Sequence, residues 1–334
     1  MPTLCVNTPG SKIRLVSERL EVHGTDPETG TAILRVVPIR DVDRLLMQES
    51  TQISSEALAT LLRADIPVTL LGWKGQHLGS FQPTTPAQGA WRVRQYQTSL
   101  VSAFTLTMAG RIIAAKIYNQ RRVLQRMSAN RSEDSTAALN YLGSLLNDCG
   151  RSRTVDEARG YEGAAAARYF QEWATFLPAA FPFQRRSTRP PLNPVNACLS
   201  FGSTLLYNEM ASCIHASGLD PALGLLHTTQ DRRWSLALDL MEPFRPVLVE
   251  ALALDLFTHQ ILQEKHFRPH EGGTYLNDEG RAKFVVQYER RMERQFMSEC
   301  AGHRTTLRQQ LETQAVMYKS ALADPAKFEP FLMN

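Results

Sequence analysis

The sequence is poor in the features that most often announce a function. Cysteine is scarce: the 334 residues hold five, Cys5, Cys149, Cys198, Cys213 and Cys300, with no C-x-x-C spacing. That scatter argues against both a zinc ribbon and a disulfide framework, so reduced and mostly buried thiols are expected. Nowhere do about eighteen apolar residues run together, and the N-terminus lacks the basic-then-apolar order of an export signal. No membrane partner is therefore expected, and the cytoplasm is the expected compartment. There is no G-x-G-x-x-G following a strand, no G-x-x-x-x-G-K-[ST] loop and no G-x-S-x-G elbow, which removes the commonest cofactor and hydrolase readings. Internal repeats and low-complexity tracts are missing as well.

An excess of one charge is also lacking, since 37 Lys and Arg against 33 Asp and Glu leave a formal charge of +4. What stands out is where the arginines lie. They group at Arg121, Arg122 and Arg126, at Arg151 and Arg153, at Arg185, Arg186 and Arg189, and at Arg290, Arg291 and Arg294. Any one group reads as a solvated helix face, whereas four in one chain favour contact with a phosphate backbone.

The length predicts two domains. Residues 1–85 read as a β-rich domain: TLCVNT, KIRLVS, RLEVHG and AILRVVPI are short Val, Ile and Leu runs between turn formers. A helix over 54–64 then carries Ala57, Leu58, Leu61 and Leu62 on one face, and IPVTLLGW and QHLGSF read as two more strands around Lys74 and Gly75. FQPTTPAQGAW is the linker, bounded at 86–92, and 93–334 reads as a mainly α-helical domain. Helices are expected over 95–127, 135–147, 157–177, 194–216, 246–266 and 278–321. Asn193 is the expected N-cap and Pro194 the first-turn residue of the fourth. The fold class is α+β, a small β-rich domain followed by a larger helical one.

Three side chains carry the candidate chemistry. Glu162 shares a helical stripe with Ala166, Tyr169, Trp173 and Phe176, which puts a carboxylate on an apolar face. Desolvating it costs several kcal/mol unless a cation or dense hydrogen bonding compensates. The alternative is a place in the helix's first turn, where the helix dipole and water make a carboxylate ordinary. His227 ends GLLH, where a helix or turn gives way to a polar loop. Asp239 and Glu242 share a face if their segment is helical, but Pro243 predicts a kink or a new helix start there. Arg245 can bind phosphate or neutralise either carboxylate. His259, His266 and His270 straddle a proline and a loop and are not read as a metal cluster. Two carboxylates with one imidazole suit Mn²⁺, or Mg²⁺ with waters completing an octahedron, and beside basic surface such a site suits phosphoryl transfer.

At these residues the chain resembles the CRISPR-associated spacer-acquisition integrases, the Cas-one family. The likeness rests on YEGAAAARYF around Glu162, RRSTRPPLNPVNACLSFGSTLLYNE from Arg185, GLDPALGLLH ending at His227, SLALDLMEPFRPVLVE from Ser235 and GGTYLNDEGRAKF from Gly272. It covers about a third of the chain, in the expected order. The resemblance implies a metal-dependent DNA integrase and endonuclease of CRISPR adaptation. The 3′-hydroxyl of a captured DNA fragment would attack the CRISPR repeat by transesterification, with no nucleotide cofactor. It also implies Glu162, His227 and Glu242 as metal ligands for Mg²⁺ or Mn²⁺ and as catalytic residues, and Asp239 and Asn196 close to the site. Arg185, Arg186 and Arg245 would be DNA contacts. The implied assembly is a homodimer built partly through the N-terminal domain, with a small ferredoxin-like adaptation protein as partner. Two other readings remain: a non-catalytic DNA-binding or assembly subunit, and a stand-alone metal-dependent nuclease acting on branched DNA.

Overall fold

A computed structural model describes residues 3–6, 8–25, 30–72, 77–84, 88–129, 134–298 and 302–334. The β-branched runs near the start form β1 (Thr3–Val6), β2 (Lys12–Val16), β3 (Arg19–Thr25) and β4 (Ala32–Pro38). They are followed by β5 (Arg44–Gln48), β6 (Gln52–Ile53), helix α1 (Ser55–Arg63), β7 (Val68–Leu71) and β8 (His77–Phe81). Two four-stranded sheets result, in the orders β4-β3-β2-β6 and β1-β5-β7-β8. The first is antiparallel apart from the short β2 and β6 pair, and the second parallel apart from β7 and β8. Ile13, Leu20 and Val22 of one sheet meet Leu4, Leu45 and Val68 of the other in a core closed by Ala57 and Leu61 of α1. Ser54 caps that helix by accepting from the Ala57 amide. Lys74 and Gly75 lie outside the described residues.

β5 was not among the strands expected, and its burial explains why. Leu45 and Met47 enter the β core while Leu46 joins the core of the helical region, so both faces are covered. A strand covered on both sides shows no polar–apolar alternation. Arg44, at its start, reaches Glu209 of the helical region at 2.8 Å, which ties the two regions by charge as well as by apolar contact.

The remainder is built from α2 (Gly89–Ser99), α3 (Ser102–Ala129), α4 (Thr136–Cys149), α5 (Val155–Trp173) and α6 (Pro194–Ala216). α7 (Ser235–Met241), α8 (Ala251–Thr258), α9 (Asp278–Glu293) and α10 (Leu307–Ala321) complete the helices. The α+β arrangement is the one expected, with corrections to its boundaries. Residues 89–92, read as linker, already form the first turn of α2, and residues 85–87 fall outside the described set. The helix expected over 95–127 is two helices meeting at 91°. At that break the Thr105 hydroxyl donates to the Ser99 carbonyl, which the end of α2 leaves without a helical partner.

Two antiparallel hairpins, β9 (Phe267–His270) with β10 (Gly273–Leu276) and β11 (Phe296–Ser298) with β12 (His303–Thr305), interrupt the helices. The second splits the expected 278–321 helix into α9 and α10. The first turns on Glu271 and Gly272, both at positive φ, the conformation a tight two-residue hairpin requires.

α3 is the axis of the helical region. Met108, Ala109, Ile112, Ile113, Ile117, Val123 and Leu124 bury its face against α4, α5 and the chain between α7 and α8. That last stretch is irregular, as Pro243 predicts: a 3₁₀ turn over Glu242–Phe244 runs into a π-helical segment over Arg245–Glu250. No single helix among the described residues is long and apolar enough to cross a membrane. Cys149, Cys198 and Cys213 are free thiols, and Cys300 lies outside the described residues.

Candidate active site

Glu162 sits in the middle of α5, not in its first turn, which Thr154 caps by accepting from the Glu157 amide. Ala158, Ala165, Tyr169 and Trp173 are buried on the same helix, and Glu162 falls within their spacing. Its carboxylate, partly open to solvent, is met by a cation, Lys116 of α3, whose ammonium donates to Oε1. The same ammonium lies 2.5 Å from Oε2 of Glu242. One Nζ atom thus joins two carboxylates from elements 46 and 126 residues away in sequence.

Glu242 is the deepest member, 3% exposed against 28% for Glu162 and 35% for His227, so it depends most on its partners. Burial alone would push its pKa up. Lys116 and Arg245, with a smaller contribution from His227, more than reverse this and hold it at about 2. Arg245 approaches the other oxygen, Oε1, at 3.1 Å, so it neutralises Glu242 and not Asp239. Burial pulls the Lys116 pKa down, but Glu242 and Glu162 together leave it above the ordinary lysine value.

Asp239 faces away from this pair although only three residues precede Glu242. Its Oδ2 accepts from the amides of Leu225 and Leu226, and its Oδ1 accepts from the amide of His227 at 2.9 Å and lies 2.6 Å from the ring Nδ1. A carboxylate only accepts, so in the neutral ring the proton belongs on Nδ1 and Nε2 carries the lone pair. The turn from Leu225 to His227 is wrapped around one buried carboxylate, which is how a loop residue acquires a fixed ring.

Glu162, His227 and Glu242 line one cavity of about 260 Å³, together with Arg159, Leu226, Thr228, Gln230 and Arg233. Arg159 donates through Nε to the Leu226 carbonyl at 2.8 Å, and Arg233 donates to the Thr228 carbonyl, so both guanidinium groups brace the loop that carries His227. As the side chains stand, no three His, Cys, Asp or Glu groups among the described residues form an ion-holding cluster. The meeting point of the two carboxylates is taken by the Lys116 ammonium. The donor types nevertheless suit a hard divalent cation: two carboxylates, and one imidazole nitrogen whose ring partner is already committed.

The remaining predicted residues divide by burial. Asn196 is buried at the start of α6, accepts from the Arg186 guanidinium and the Ser187 amide, and donates to the Arg185 carbonyl. It pins the arginine-rich loop to the helix. Arg186 is engaged in the same clasp through Ser187, Asn196 and Ser200, and burial together with the nearby charge of Arg245 lowers its pKa to about 10. Arg185 faces solvent. Burial, with the nearby charges of Arg122 and of Arg294 just past α9, lowers the pKa of Arg126 near the end of α3.

Sequence reasoning passed over two buried charges here, Lys116 and Glu250. Burial raises the Glu250 pKa against the opposing pull of Arg245 and Lys116. Lys116 was open to the argument applied to Glu162: it follows Ile112 and Ile113 by four and three residues, on the buried face of α3.

The comparisons with known proteins agree with this architecture. The model of the family described as CRISPR associated protein Cas1 matches residues 4–290. A CRISPR-associated exonuclease Cas4/endonuclease Cas1 fusion of Geobacter sulfurreducens is 35% identical over 79% of the chain, which spans 49% of that protein's length. The CRISPR-associated endonuclease Cas1 3 of Thermus thermophilus is 31% identical over 91% of the chain and 90% of its own length. A casposase solved bound to its integration product shares the fold, with a TM-score of 0.85 at 24% identity over 97% of this chain and 91% of that one. A family match across most of the sequence, together with a relative aligned nearly end to end, means that the chain belongs to the CRISPR-associated Cas1 family.

Proposed function

We propose that this protein is a metal-dependent DNA integrase and endonuclease of CRISPR adaptation. In this reading it joins the 3′-hydroxyl ends of captured DNA fragments to the CRISPR repeat by transesterification. The observation that carries the reading is the convergence of Glu162, His227 and Glu242, from α5, a loop and the 3₁₀ turn after α7, on one cavity. Glu162 and Glu242 would hold Mg²⁺ or Mn²⁺ through oxygen and His227 through Nε2. Such an ion, when bound, polarises a phosphodiester oxygen and steadies the departing alkoxide.

The chain's own groups supply the rest. Asp239 fixes the imidazole tautomer, and Arg159 and Arg233 hold the loop that presents it. Arg245 helps to keep Glu242 ionised, while Arg185, which faces solvent beside the clasp made by Asn196 and Arg186, would meet a DNA backbone. Exposed Ile33, Leu34 and Val36 on β4, an edge strand, support a homodimer through the N-terminal domain. The small ferredoxin-like partner follows from the family resemblance, and the cytoplasm is the compartment in which such DNA would be met.

The test is an assay of purified protein with labelled DNA fragments and a plasmid carrying a repeat, with Mn²⁺ or Mg²⁺ supplied in turn. Joined strands are expected from the wild type and none from Glu162→Ala or His227→Ala, with DNA binding retained in both. Shortened strands in place of joined ones would favour the stand-alone nuclease. Full integration by both variants would remove the proposed site, and neither joined nor shortened strands from the wild type would favour the assembly-subunit reading.

A further inference from the structure

The position between Glu162 and Glu242, where the proposed function needs a divalent ion, is held by the side chain of Lys116. We propose that Lys116 is a built-in placeholder cation: it holds the two carboxylates together in the ion-free protein and must yield its place when the divalent ion enters. This inference rests on the metal-dependent reading above and assigns Lys116 a positioning role within it.

The geometry favours this over an ordinary salt bridge. A lysine serving only stability needs one carboxylate, whereas this ammonium touches two, from α5 and from the turn after α7, and both of those carboxylates line a cavity of about 260 Å³. Two carboxylates brought together repel each other, and Lys116 and Glu242 are both buried, where breaking an ion pair by removing one partner typically costs about 3–5 kcal/mol. A chain that must fold before it meets its ion therefore needs an internal cation. Lys116 suits that role, because its charge is compact, its stem is flexible, and Asn119 anchors α3 one turn away.

Charge balance points the same way. Lys116 and Arg245 together neutralise Glu162 and Glu242 as the site stands. If a divalent ion replaces the ammonium while Arg245 stays, the site gains a single positive charge, which one phosphodiester group neutralises. If the ammonium stayed beside the ion, the surplus would be twofold and would oppose ion entry. The placeholder therefore competes with the metal and makes metal occupancy and DNA phosphate binding mutually favourable.

The experiment compares wild type and Lys116→Met as full-length protein. Ion-free Lys116→Met should melt roughly 5 °C or more below wild type. Saturating Mn²⁺ should remove most of that difference, and Mn²⁺ affinity, read from the free-ion electron paramagnetic resonance signal, should rise about tenfold. As a second measurement on wild type alone, amine acylation followed by peptide mass spectrometry should leave Lys116 unmodified in chelator and label it when Mn²⁺ is present. Wild type that binds Mn²⁺ while Lys116→Met binds it no more tightly, or Lys116 equally protected with and without Mn²⁺, overturns the placeholder role and leaves the metal site standing. Folded wild type and variant that both fail to take up Mn²⁺ overturn the metal-dependent reading itself.

Discussion

The Asn119 amide donates to the Pro243 carbonyl at 2.7 Å, which fixes α3 to the chain one residue beyond Glu242 and three residues along from Lys116. Its Nδ2 also reaches the Phe331 carbonyl at 2.9 Å, and its Oδ1 accepts from the Met333 amide at 2.7 Å. One buried side chain thus joins the central helix, the irregular turn of the site and the last residues of the chain. Asn119→Ala would leave these backbone groups without their partner, at a cost of about 1–3 kcal/mol for each buried group left unpaired. The expected outcome is a clear fall in the urea midpoint with an unchanged slope. Mn²⁺ binding should weaken even at temperatures where the variant stays folded, because the turn that carries Glu242 is no longer pinned to α3.

Asp239→Asn tests the carboxylate under the histidine loop. Asp239 accepts from three backbone amides and faces the His227 ring, whereas an asparagine turns a donor toward at least one of them. Partners that orient a ligating histidine are typically worth about 10- to 100-fold in metal affinity. Mn²⁺ titration should show a loss in that range for Asp239→Asn, and unchanged affinity would remove Asp239 from the orienting role.

Acid stability reports on Glu242. Its folded pKa, about 2, lies below the ordinary value of 4.5, so its ionisation stabilises the fold fully above pH 4.5. That stabilisation is lost as pH falls toward 2. Urea unfolding of ion-free protein across this window should show stability dropping for the wild type and a flatter profile for Glu242→Gln. Identical profiles would mean that the Glu242 pKa is the same in the folded and the unfolded chain, so that Lys116 and Arg245 do not hold it down.

Arg185 and Arg186 are neighbours with different expected phenotypes. If exposed Arg185 meets phosphate, Arg185→Ala should lower the slope of log affinity against log salt by about 1 and leave thermal stability unchanged. Arg186 is enclosed by Ser187, Asn196 and Ser200, so Arg186→Ala should instead lower stability by about 1–3 kcal/mol. Calorimetry and DNA binding over a salt series distinguish the two.

Much of this molecule was legible in one dimension because the forces concerned are local. Short Val, Ile and Leu runs between turn formers marked six of the eight strands of the β region, Asn193 capped the helix it was expected to cap, and a carboxylate on the apolar stripe of α5 marked Glu162. Pro243 announced the irregular backbone at Glu242, since proline constrains its immediate neighbours. What stayed hidden depends on contacts between distant segments. β5 lost its alternation by being buried on both faces, and the hairpin of β11 and β12 broke a stretch that reads as one helix. Spacing put Asp239 and Glu242 on one face, yet folding turned the first to the loop of His227 and the second to Lys116. Periodicity can show that a charge lies on a buried face. Which opposite charge answers it is decided only when the whole chain closes, because electrostatic pairing depends on distance in space and not along the backbone.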